Sequence, residues 1–211
     1  MLKKFLNLWR KYNFIVILLP IVLSQQTLAE GSKRLLVLGD SISAGYGVSV
    51  DRQWTHILQR KLDSSGKNLR IVNVSLPGET TGGGLSRIPS LLKFHSPDYL
   101  LIELGGNDAL RGYPVDKIKF NLTEICKKAE KQNVKIILMK IRIPPNYGRN
   151  YMQAFEAIYT EVAKELNIQL VPFMLNNVAL DSDLMFPDGI HPNEKAQPLI
   201  AEDIFKWAQS L

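Results

Sequence analysis

Five short apolar runs alternate with stretches of helical period along this chain, and that alternation restricts the fold more than any other feature of the sequence. The runs are 34–38, 70–74 (RIVNV), 98–104 (DYLLIEL), 134–141 (VKIILMKI) and 168–172 (IQLVP). Between them, Trp54, Ile57, Leu58 and Leu62 share one helical face, as do Leu85, Ile88, Leu91 and Leu92. Residues 115–131 read as a charged amphipathic helix, and 150–166 and 194–210 complete the set. Strands that are apolar throughout are buried on both faces, the condition of a parallel sheet covered by helices on each side. The expected fold is one α/β domain with a doubly wound, five-stranded parallel sheet. No internal repeat, low-complexity tract or linker interrupts the pattern after residue 33.

The first 29 residues stand apart from this pattern. Lys3, Lys4, Arg10 and Lys11 make a basic start, 14–23 is a ten-residue apolar run, and Ser24 to Ala29 is polar with small residues at 27 and 29. That is the order of a secretory signal peptide, with cleavage expected after Ala29 and a periplasmic or secreted mature protein from Glu30 to Leu211. Ten helical residues at ~1.5 Å each cannot span a hydrocarbon core of ~30 Å, so no stable membrane span is expected. Removing residues 1–29 takes away four of the 26 basic residues and none of the 20 acidic ones, so the net charge falls from +6 to +2. No basic run with interleaved aromatics is present, which argues against nucleic acid as a partner. The single cysteine, Cys126, permits no internal disulfide and falls beside the apolar positions Ile118, Leu122, Ile125 and Ala129, as a small core or boundary residue does. A monomer is expected.

In open parallel sheets ligands bind beyond the carboxyl ends of the strands, so chemistry is sought in the loops there. After the first strand comes GDSISAGYG (39–47), after the second SLPGETTGGG (75–84), after the third GGNDALRGYP (105–114) and after the fourth 142–149. A further segment, FPDGIHPN (186–193), precedes the last helix. Ser41 follows directly on the end of a strand, where it is either a helix cap or a nucleophile. An Asp-x-x-His step, Asp188 and His191, can set a carboxylate on an imidazole, although taken alone it reads first as a turn aspartate beside a solvent histidine. Gly78 lets a backbone N–H approach a ligand closely, and the Asn107 side chain is a fixed donor, the two needs of an oxyanion site. Asp40 reads as a brace for the serine loop, and His56 and His95 as structural or solvent residues. Neither GxxxxGK[ST] nor GxGxxG occurs, so phosphate cradling by the glycine loops is poorly supported, and no His or Cys cluster suggests a metal.

Taken together, GDSISAGYG, GET with its following glycines, ELGGNDALRG and DGIHPN match in order the four blocks of the SGNH (GDSL) hydrolase superfamily. KIRIPPNYG and FEAIYTEVAKE resemble its bacterial acyl-CoA thioesterase, lysophospholipase and arylesterase branch, and the likeness runs from about Leu35 to Ala208. The resemblance implies a three-layer α/β/α, flavodoxin-like fold and a serine hydrolase of medium- and long-chain esters and thioesters that works through an acyl-enzyme without a cofactor or metal. It implies Ser41 as nucleophile, His191 as base, Asp188 as its partner, and an oxyanion hole from the N–H groups of Ser41 and Gly78 plus the Asn107 side chain. Ile42 stands where the family name has leucine. Leu76, Pro77, Ile143, Pro144 and Tyr147 are the expected acyl-binding rim, with Arg111, Arg142 and Arg149 near it. A carbohydrate O-acetylesterase, or a binding protein that kept the fold and lost the chemistry, are the alternatives.

Overall fold

The computed structural model describes residues 31–211; the proposed signal segment lies outside the described residues. Five parallel strands form one sheet in the order β2-β1-β3-β4-β5: β1 is Lys33–Gly39, β2 Leu69–Asn73, β3 Tyr99–Glu103, β4 Lys135–Met139 and β5 Gln169–Val171. This is the flavodoxin-like order, with its reversal at the boundary between β1 and β3. The helices are α1 Trp54–Ser64, α2 Thr81–His95, α3 Gly106–Leu110, α4 Val115–Glu130, α5 Arg149–Glu165 and α6 Gln197–Ala208. Helices α1 and α6 pack together, as do α2, α4 and α5, giving the layers that sandwich the sheet.

The core follows the apolar periodicity. Leu35 to Leu38 and Leu100 to Ile102 are fully buried, and on α4 the predicted stripe Ile118, Leu122, Ile125 and Ala129 is buried together with Cys126. Burial pushes the Cys126 thiol up to about 12, which keeps it a packing residue and not a nucleophile. Helix α2 starts four residues before its apolar pattern, because the Thr80 side chain caps it by accepting from the Gly83 N–H. Its glycines serve contact: a Cβ at Gly84 would stand 2.5 Å from Leu104 Cδ1. His95 is the last residue of α2 instead of part of the following connection. The five-residue α3, inside a segment read from sequence as loop, is too short to show a period. The predicted last helix splits into a 3₁₀ turn at Glu194–Ala196 and then α6.

Register sets the functional end of the sheet. Gly39 pairs with Glu103, and Ile102 with Leu138, so the last residues of β1, β3 and β4 lie level. The segments that follow them carry Asp40-Ser41, Gly106-Asn107 and Lys140 out of the same edge.

Candidate active site

The chain leaves β1 through a tight, buried corner. A Cβ on Gly39 would lie 2.6 Å from Glu103 Oε2 and 2.7 Å from Ser43 Cβ, so glycine alone fits there. Glu103 Oε2 accepts from the Ser43 hydroxyl at 2.7 Å and from the Asp40 N–H at 3.3 Å, holding the turn from below. Asp40, 4% exposed, accepts from the Ile42 N–H through Oδ1 and from Asn107 Nδ2 through Oδ2 at 3.1 Å. It braces the serine loop, as its position in the sequence suggested.

Ser41 meets His191 across this corner. His191 Nε2 lies 2.8 Å from Ser41 Oγ, and His191 Nδ1 lies 2.7 Å from Asp188 Oδ2. Asp188 Oδ1 accepts from the N–H groups of Ile190 and His191, so the carboxylate is held at both oxygens. The loop that presents the pair is itself pinned. Gly189 N–H donates to Phe186 O across Phe-Pro-Asp-Gly, a turn that favours proline second and glycine last. Phe186 N–H donates to His191 O, and the Gln197 amide donates to Pro192 O and Asn193 O. Partial desolvation raises the Asp188 carboxyl, but the His191 backbone and ring and the Ile190 N–H outweigh it and bring it down to about 2. It stays ionised beside the imidazole.

The loops beside this corner carry two backbone N–H groups and one amide hydrogen with no protein acceptor among the described residues. Leu76-Pro77-Gly78-Glu79 is a β-turn closed by Glu79 N–H to Leu76 O at 3.1 Å, with Gly78 at φ +77. Proline then glycine is the pairing a type II turn demands, so Pro77 helps to present the Gly78 peptide. The turn is tied down by Leu76 N–H to Gly39 O, by Arg111 to Gly78 O, and by the Arg87–Glu79 ion pair. Among the described residues, neither the Ser41 N–H nor the Gly78 N–H has a protein acceptor. Asn107 spends one Nδ2 hydrogen on Asp40 and keeps the other. Asn107 leads α3 out of Gly105, whose φ of +118 turns the chain back over the sheet edge.

The chain matches the GDSL-like Lipase/Acylhydrolase family over residues 37–198. It belongs to that family. It is 43% identical over 174 residues to a Vibrio mimicus protein named arylesterase (82% of this chain, 87% of the relative). It is 44% identical over 183 residues to the Escherichia coli K12 protein named thioesterase 1/protease 1/lysophospholipase L1 (87% of this chain, 86% of the relative). The crystal structure of the psychrotrophic esterase EstA from Pseudoalteromonas sp., described as inhibited by monoethylphosphonate, superposes with a TM-score of 0.83. It shares 42% identity and covers 84% of this chain and 97% of its own. The chain is an ester hydrolase of the GDSL type.

Of the predicted rim of this GDSL hydrolase, Leu76 is 47% exposed and Pro77 and Pro144 are exposed, while Tyr147 is half-buried against the core. Ile143 is 7% exposed and packs with the core, with Ile141 buried and Arg142 exposed beside it. Two neighbours of the site were missed from sequence. The Tyr46 ring lies 4.5 Å from the His191 ring, centroid to centroid, and is 53% exposed. Glu103, 1% exposed, has its carboxyl held well above the ordinary range by burial and then by the Asp40 charge. Burial likewise pushes Asp40 up to about 6, against the pull of the Ile42 N–H, His191 and Asn107. Among the described residues no three His, Cys, Asp or Glu side chains are grouped to hold a metal ion.

The two buried carboxyls make a stability prediction. Both bind a proton more tightly folded than unfolded, so their contribution is full below the unfolded carboxylate range and is lost as pH rises through the folded values. Glu103→Gln keeps an acceptor for Ser43 and removes the charge. Its stability relative to the parent, from urea unfolding, should therefore rise steadily from pH 4 to pH 7; a difference constant with pH would contradict a titrating Glu103.

Proposed function

We propose that this hydrolase cleaves carboxylic esters and thioesters of medium to long acyl chains through an acyl-enzyme on Ser41. The observation that carries the reading is the unbroken line Ser41 Oγ, His191 Nε2, His191 Nδ1, Asp188 Oδ2, at 2.8 and 2.7 Å. His191 takes the Ser41 proton as Oγ attacks the carbonyl carbon, and Asp188 holds the tautomer and offsets the imidazolium charge. The oxygen that gains charge is received by the N–H groups of Ser41 and Gly78 and by Asn107 Nδ2. His191 then protonates the leaving alcohol or thiol, and water repeats the sequence to release the acid. No step requires a cofactor. The names of the relatives, which include arylesterase, thioesterase and lysophospholipase, support this range of leaving groups.

The acyl side is assigned to the apolar residues of the loops at this end of the sheet, Leu76, Pro77, Ile143, Pro144 and Tyr147, joined by Tyr46 and by the 38% exposed Ile190 next to His191 in the chain. Each methylene buried against them contributes about 0.8 kcal/mol, roughly fourfold in kcat/KM where the contact persists in the transition state. Over p-nitrophenyl esters from acetate to octanoate, kcat/KM should climb with chain length. Acetate turned over faster than octanoate would sink the lipid reading and favour an O-acetylesterase.

Export belongs to the same proposal. Residues 1–29 act as a signal peptide and the mature protein, a monomer outside the cytoplasm, starts at Glu30. Among the described residues no helix is long and apolar enough to cross a membrane. Protein recovered from producing cells should give Glu30 in N-terminal sequencing, and retention of Met1 would refute cleavage.

A further inference from the structure

The start of α1 joins the two loops that supply Ser41 and His191. The first N–H groups of a helix have no partner within it, and a side chain at the cap commonly satisfies one of them. Gln53, the residue before α1, does not do this. Its amide turns the other way and donates to Val48 O at 3.2 Å and Gly45 O at 3.5 Å, inside the loop that follows Ser41. It lies so close against that loop that a Cβ at Gly45 would run into it. The Trp54 N–H, left over at the helix start, donates instead to Gln197 Oε1 at 3.0 Å, 143 residues further along the chain. Gln197 is fully buried. Its Nε2 donates at 3.3 Å to Pro192 O and at 3.3 Å to Asn193 O, the carbonyls of the two residues after His191.

One buried amide therefore spends its oxygen on the α1 start and its nitrogen on the histidine loop, and Gln53 carries the connection on to the serine loop. Apart from the Ser41–His191 contact itself, the other side-chain hydrogen bond between 40–54 and 186–197 among the described residues is the Arg52–Glu194 ion pair. Those two side chains are 61% and 51% exposed, and exposed pairs contribute little. We propose that Gln197 is a positioning residue, whose amide sets the place of His191 Nε2 against Ser41 Oγ. Its hydrogen bonds reach neither of those atoms, so it acts through the loop that bears the imidazole. Without it the Trp54 N–H and two carbonyls lose their partner, and any shift of 192–193 that repairs them moves His191. A misplacement of about 1 Å costs about 10²-fold in rate. The inference rests on the roles of Ser41 and His191 given above.

Gln197→Met keeps the length of the side chain and removes both the acceptor and the donors. On one p-nitrophenyl ester its kcat should fall about 10- to 100-fold with KM within a few-fold, in protein that circular dichroism shows to be folded. Gln197→Asn keeps an amide too short to span both ends, should show the same kind of loss, and carries the test if the methionine variant does not fold. A double variant separates positioning from a general loosening of the domain. Added to His191→Ala, Gln197→Met should leave the residual kcat unchanged, because the group it positions is already gone. A loosened domain would lower that residual turnover as well. A folded variant with the parent kcat, a rise confined to KM, or a further loss in the His191→Ala background would overturn the positioning role. Failure of both variants to fold would overturn it too, by making Gln197 a residue of stability. A His191→Ala enzyme as active as the parent would instead refute the Ser41–His191 reading on which the inference rests.

Discussion

His191→Ala is expected to lower kcat on any ester substrate by roughly 10⁴–10⁶-fold, and Ser41→Ala added to it should cost almost nothing more. The reason is the geometry: His191 Nε2 lies 2.8 Å from Ser41 Oγ, where the proposed base must stand, and without it the hydroxyl stays a weak nucleophile at neutral pH. Groups that act as one unit lose their effect together, so the two losses do not add. Asp188→Asn tests the second link. The amide can keep the Ile190 and His191 N–H bonds at its oxygen, but it then presents a donor to Nδ1. That favours the tautomer with its hydrogen on Nε2, unable to accept from serine, and a loss of about 10⁴ is expected. Circular dichroism should show all three variants folded. A double variant ten times or more slower than either single, or an active Asp188→Asn, would break the assignment. Phosphonate labelling offers an independent readout, since the similar EstA is described as inhibited by monoethylphosphonate; here the adduct should map to Ser41.

Much of this arrangement was legible in the sequence. Strands buried on both faces leave continuous apolar runs, and all five were readable within a residue or two of their ends. The order of the sheet then followed the flavodoxin-like pattern that the resemblance implied, which brings loops far apart in the chain to one edge. What stayed hidden depends on side chains meeting across that edge. Glu103 was visible as a charge inside DYLLIEL, but only the parallel pairing with β1 sets it under Gly39, against Ser43. Tyr46 reaches His191 because Gly45 and Gly47, both at positive φ, turn the loop there, and no periodicity records that. Ile143 is a different case. The alternation of Lys140, Ile141, Arg142 and Ile143 carries its burial, since Ile141 and Ile143 turn into the core while Arg142 stays exposed.

Asn107→Ala should reduce kcat by about 10²–10³-fold while leaving KM within a few-fold. A donor that binds charge only as it develops contributes to the transition state and little to the ground state, so its loss falls on kcat. The structure gives the side chain the preparation this role needs. One Nδ2 hydrogen is committed to Asp40 Oδ2 at 3.1 Å, which fixes the nitrogen end of the amide and leaves its second hydrogen without a protein acceptor, as the proposed oxyanion role requires. Asp40 is in turn held by the Ile42 N–H and is nine-tenths or more buried, so the donor is set before substrate arrives and does not reorganise when charge appears. Asn107→Asp sharpens the test. It is nearly isosteric, but it replaces the donor by a carboxylate facing Asp40 and the developing oxyanion, and it should be slower than the alanine variant. Kinetics on one p-nitrophenyl ester decide the matter: a kcat that survives in Asn107→Ala while KM rises would make Asn107 a substrate-binding residue and leave the oxyanion to the N–H groups of Ser41 and Gly78.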